Sequence, residues 1–127
     1  RPAYNPLAAL SGQPGLAYGF LAVRFLGLAV LVPLLEEAFL RLFLMRYVMH
    51  DNWTEIPFGE VNRTAVAAGI LFPVLYHPER VAALVWFSLV TWLMVRTRNY
   101  TDCVVAHATT NLLLGIYVLA TGTWQLW

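Results

Sequence analysis

The chain alternates long apolar stretches with short polar breaks, and the breaks divide it into helices. Residues 16–49 are almost continuously apolar, interrupted by Arg24, Pro33, the pair Glu36-Glu37, Arg41 and Arg46. At 1.5 Å per residue this stretch makes about 50 Å of helix, too long for one straight crossing of a hydrocarbon core about 30 Å thick. The expectation is one helix kinked near Pro33, or two helices that meet there. Residues 50–63 are polar, carry Pro57 and Gly59, and read as a surface loop. Three further apolar segments follow, 64–76, 81–95 and 103–120, separated by His77-Pro78-Glu79-Arg80 and by the polar turn 96–102. Residues 1–15, with three Pro and two Gly, read as a loop or interfacial segment ahead of a membrane domain over 16–127. The tail offers Trp124 and Trp127, residues suited to a membrane interface.

Composition narrows this to an all-α, polytopic integral membrane helix bundle. The chain is 60% hydrophobic and 12% charged, half the charge of an ordinary soluble domain at about 25%. Its mean hydropathy is +0.64. A net charge of +1 and the absence of any basic run give no case for nucleic acid. A single cysteine, Cys103, excludes an internal disulfide framework. The chain begins at Arg1, so it is expected to be part of something longer, and its first fifteen residues lack the charged-then-apolar pattern of a secretory signal. If the segments alternate in direction, the loops around 50–63 and 96–102 share a side that carries Arg46, Arg63, Arg96 and Arg98, against Arg80 and Arg1 on the other. The bias of Arg towards the inside makes the first side cytoplasmic. Arg24, inside the first segment, is expected to snorkel. Three Asn-x-Thr triplets, at Asn52, Asn62 and Asn99, fall in those loops and are read as chance.

The polar residues inside the apolar segments are the candidate chemistry, because ionisable groups at membrane depth are costly and are functional by default. Glu36 lies about 14 residues before the first cytoplasmic loop and His77 about 14 after it, so both are expected roughly 20 Å deep. His107 and Asn111 are expected roughly 8 to 14 Å past the second loop, in the same slab. The segments 64–76 and 81–95 are shorter than the roughly 20 residues a span needs, which puts their joining turn inside the bilayer, tolerated only in protein or a wet cavity. Glu37 and Arg41 share a helix face at i,i+4 and can pair, while Glu36 points about 100° away. In that arrangement Arg41 neutralises Glu37 and Glu36 serves as base; the competing reading is a charge cluster that marks a helix end. His77 either works on water with Glu36 or caps a short helix. His107 and Asn111, at i,i+4, either donate to an oxyanion or make a polar helix–helix contact. Cys103 continues their stripe and reads as a packed thiol.

In order along the chain, Glu36-Glu37-Ala38-Phe39-Leu40-Arg41, Phe72-Pro73-Val74-Leu75-Tyr76-His77 and His107-Ala108-Thr109-Thr110-Asn111 resemble the motifs E-E-x-x-x-R, F-x-x-x-H and H-x-x-x-N of the CPBP family. These are the type II CAAX prenyl endopeptidases and bacteriocin-processing proteins, glutamic intramembrane proteases. The second motif departs by one residue: Pro73 stands four before His77, and Phe72 precedes it. The resemblance implies an intramembrane endopeptidase without metal or other cofactor, in which Glu36 and His77 activate water, His107 and Asn111 bind the oxyanion, and Glu37 and Arg41 support them. It implies a membrane-tethered, prenylated or otherwise lipid-linked polypeptide as substrate, and further N-terminal helices beyond this chain. Residues 103–127 are also similar to CAAX-protease-related proteins that accompany bacterial exosortase systems, which implies exosortase-system partners and the bacterial inner membrane. Two other readings of the same residues stand beside it. One is a zinc hydrolase with Glu36, His77 and His107 as ligands, although no H-E-x-x-H is present. The other is a non-catalytic scaffold or transport component.

Overall fold

The computed structural model describes residues 3–126, so Arg1 and Trp127, invoked above for topology and for the interface, lie outside the described residues. Among the described residues the regular structure is helical throughout. A single turn, α1 (Pro6–Ala9), forms within the expected N-terminal loop: Pro6 supplies a preset φ, and Asn5 Oδ1 accepts from the N–H groups of Leu7 and Ala8 at 3.0 and 3.2 Å. The long helix α2 runs Pro14–Tyr47. It is followed by a 3₁₀ turn, Trp53–Glu55, then α3 (Arg63–Tyr76), α4 (Arg80–Thr97) and α5 (Tyr100–Thr121). Helices α2, α4 and α5 are long and apolar enough to cross a membrane; α3 is apolar but shorter. With Val23, Leu35, Leu75 and Val81 each at least 70% exposed, the surface suits lipid rather than water, and the chain is an integral membrane protein.

One sequence expectation changes. The segment 81–95 was expected to fall short of a span; α4 has 18 residues. It gains them because polar Arg80, Arg96 and Thr97 complete its terminal turns, and it stops where Arg98 turns left-handed (φ 51°) and returns its N–H to Met94 O. At Pro33 the chain continues as one helix, the first of the two expected arrangements. It stays helical by widening into a π turn, Gly27–Leu31, just before the proline. A second π segment, Ala38–Leu44, follows the Glu pair.

The chain divides into two compact units, one made of the residues up to Pro33 and from His107 onward, the other Leu34–Ala106. In the second, Met45, Ala65, Val90, Met94 and Cys103 form one apolar cluster, and Leu40, Ala83 and Phe87 another. The Cys103 thiol sits in this packing with Sγ 3.7 Å from Asn99 O, one turn back. In the first unit, Leu21, Val118 and Trp124 pack together. Trp124 is therefore buried in this packing.

Candidate active site

The unit Leu34–Ala106 holds the acid pair and His77. Glu37 and Arg41 form a buried salt bridge, Arg41 Nε to Glu37 Oε2 at 3.0 Å, with both side chains fully shielded. Arg41 Nη1 donates to Thr91 Oγ1 of α4 at 2.7 Å and reaches Met45 Sδ at 3.1 Å and Gly69 O of α3 at 3.5 Å. A buried ion pair depends on further hydrogen bonds for its remaining polar atoms, and two residues of α3 provide one such acceptor for Nη1. Pro73 has no N–H, so the carbonyl four residues earlier, Gly69 O, loses its helical donor and is left for the guanidinium. Gly69 has no Cβ; one built there would stand 2.5 Å from Met45 Sδ and 2.8 Å from Arg41 Nη1.

Glu36, one position before the buried acid, is only partly shielded. Its carboxylate accepts a hydrogen bond from the hydroxyl of Tyr76, the last residue of α3. His77 follows in extended backbone, the conformation that a residue ahead of proline favours. Its Nδ1 lies 2.9 Å from Pro73 O. A carbonyl only accepts, so Nδ1 carries the hydrogen, and in the neutral ring Nε2 keeps its lone pair for a proton or a water. The His77 ring packs against Tyr76 and edge-on to Phe87, with centroids 4.9 and 5.1 Å apart. Glu36 and His77 thus meet through Tyr76, a residue that a search for acids, imidazoles and amides passes over. Phe72 packs against Phe39 of the first motif and against Tyr76, at 5.6 and 5.8 Å.

In the other unit, His107 is buried at 4% exposure and Asn111 Nδ2 donates to Leu28 O at 2.8 Å. The backbone explains why that carbonyl is open. Its α-helical donor, Val32 N–H, is diverted to Gly27 O by the π turn. Its π-helical donor is the nitrogen of Pro33, which has no hydrogen. Asn111 therefore serves an acceptor that the main chain cannot. Among the described residues, no group of three or more His, Cys, Asp and Glu is placed to hold a metal ion.

A family model described as type II CAAX prenyl endopeptidase Rce1-like matches residues 18–113. The chain belongs to this family. No curated protein and no solved structure matches it. The Rce1-like segment contains all six residues singled out from the sequence, Glu36, Glu37, Arg41, His77, His107 and Asn111, together with Tyr76, Gly69 and Pro33.

Two stability measurements on the Rce1-like chain follow from these contacts. Gly69→Ala should cost about 1–3 kcal/mol through overpacking against Met45 and Arg41. Gly19→Ala, in a helix interior with nothing within 4 Å of the new methyl, should be neutral or gain up to about 1 kcal/mol. Thermal midpoints in one detergent compare them, and equal effects would count against the close approach at Gly69. Asn111→Ala should cost about 1–3 kcal/mol by stranding the Leu28 carbonyl. Pro33→Ala restores an N–H five residues beyond Leu28, so in that background the Asn111→Ala cost should shrink. Additive costs across the four proteins would mean that Asn111 is not serving the carbonyl Pro33 leaves open.

Proposed function

We propose that the chain is a glutamic-type intramembrane endopeptidase that cleaves a membrane-tethered, lipid-linked polypeptide, with Glu36 as the general base. The observation that carries this is the unequal treatment of two adjacent carboxylates. Glu37 is sealed into an ion pair with Arg41, while Glu36 stays partly accessible beside a neutral phenol and near an imidazole whose Nδ1 is committed to a carbonyl. The first arrangement is structural; the second suits proton transfer.

In this reading Glu36 takes a proton from water, and the water oxygen bonds to the scissile carbonyl carbon. His77 Nε2 holds that water in line. His107 and Asn111 supply hydrogen bonds to the oxyanion; Asn111 has a second amide hydrogen besides the one spent on Leu28. The tetrahedral adduct then collapses, the C–N bond breaks, and the proton returns from Glu36 to the leaving amine. Exposed apolar flanks around α3 and α4 favour a substrate that arrives within the bilayer, which agrees with family membership among prenyl endopeptidases.

The test is cleavage of membrane-anchored, C-terminally lipidated peptides by the purified chain. Glu36→Gln should lower kcat/KM by a factor of about 10² to 10⁴ and leave the thermal midpoint close to wild type. Glu37→Gln should do something different: it leaves Arg41 buried without its charge partner and should destabilise by about 3–5 kcal/mol. A chelator should change neither protein's rate. Full cleavage by Glu36→Gln would sink the proposal, and loss on chelation would move the chemistry to a zinc-bound water.

A further inference from the structure

Tyr76 fills an unspecified position of the second motif, directly before its histidine, and makes the hydrogen bond to the carboxylate of Glu36. Its ring is gripped from two directions, by Phe72 one turn earlier on α3 and by His77 next in sequence. Phe72 in turn packs on Phe39, three residues after Glu36 on α2. The phenol is thus held at both ends of its reach: the ring by aromatic contacts that lead back to α2, the hydroxyl by the carboxylate itself. About half of the side chain remains exposed, so burial in a core is not what keeps it in place.

We propose that Tyr76 is a positioning residue for the base: its hydroxyl grips one oxygen of Glu36 and turns the other towards the water to be activated. This rests on Glu36 being the base. A carboxylate on a two-carbon stem samples several rotamers, and each unproductive one lowers the fraction of complexes in which proton transfer is in reach. A hydrogen bond from a neutral donor to a charged acceptor selects one rotamer without neutralising the base, as a salt bridge would. The chain keeps the salt bridge for Glu37 and gives Glu36 the phenol.

Tyr76→Phe tests this with the packing retained, since the ring that meets Phe72 and His77 stays. In the full chain, Tyr76→Phe should lower kcat about tenfold, a change equivalent to about 1.4 kcal/mol, with KM and thermal midpoint unchanged. In a Glu36→Gln background it should lower the residual rate no further, because there is no base left to position. A second readout needs no substrate. The infrared difference between wild type and Glu36→Gln isolates the Glu36 carboxylate stretch, and Tyr76→Phe should move that band. An unchanged kcat, a rise in KM alone, an additive loss in the double variant, or an unmoved band would each overturn the proposal. If wild type cleaves nothing, the protease reading fails by itself, while the band still decides whether the phenol grips the carboxylate.

Discussion

The buried pair of Glu37 and Arg41 is the constraint on which the site depends. Two unit charges without solvent exposure cost several kcal/mol each to desolvate, and their attraction offsets this only in good geometry. Here the geometry joins three helices: the carboxylate and guanidinium come from α2, the hydroxyl of Thr91 from α4, and the carbonyl of Gly69 from α3. Once Glu37 is locked inward, helix geometry rotates Glu36 by about 100°, to where the end of α3 brings Tyr76. The charge that cannot move fixes the direction of the one proposed to react.

Proline placement serves a polar contact in each unit in an unexpected way. Inside an apolar helix a carbonyl without a donor is costly, because lipid offers no replacement for water. Pro73 creates such a carbonyl at Gly69, and Pro33, with the π turn before it, creates another at Leu28. Each is taken by a side chain from a sequence motif, Arg41 in the first case and Asn111 in the second. The prolines convert backbone acceptors into sockets for particular donors. This ties residues distant in sequence more specifically than apolar packing does, since an apolar contact accepts many partners and an orphaned carbonyl only a hydrogen-bond donor.

Much of this was legible in the sequence, and the misses share a physical cause. Apolar runs separated by polar breaks located every long helix, and the i,i+4 spacing of Glu37 and Arg41 identified the pair that forms. The ends of α4 were set too short because hydropathy stops at the first polar residue, whereas a helix continues until its backbone is capped, at Arg98 here. The π turns left no trace because their signature is a shift of hydrogen-bond register, not of composition. At Pro33 the missing donor was legible in the sequence, but not the amide of Asn111 that compensates for its loss. Tyr76 was missed because a phenol is weak chemistry by itself; its interest lies in the neighbour it reaches.

The one-residue departure in the second motif shows how these parts fit. In the family pattern the phenylalanine stands four residues before the histidine, the spacing at which two helical side chains meet. Here the aromatic residue is Phe72, four before Tyr76 rather than His77, and it is Tyr76 that it contacts. Pro73 occupies the vacated position, and a proline ring cannot stack on the imidazole as phenylalanine would. It supplies its carbonyl instead, which receives both the backbone N–H of His77 at 3.1 Å and the ring Nδ1 at 2.9 Å. The histidine is thus held by these hydrogen bonds as well as by its ring contacts with Tyr76 and Phe87, while Phe72 packs on the phenol. A loss of motif spacing would scatter these contacts; a single shift redistributes them to two adjacent residues, each still fixed. That makes the departure intelligible as one linked change across Phe72, Pro73 and Tyr76, which leaves Tyr76 on the Glu36 carboxylate and His77 packed against Tyr76.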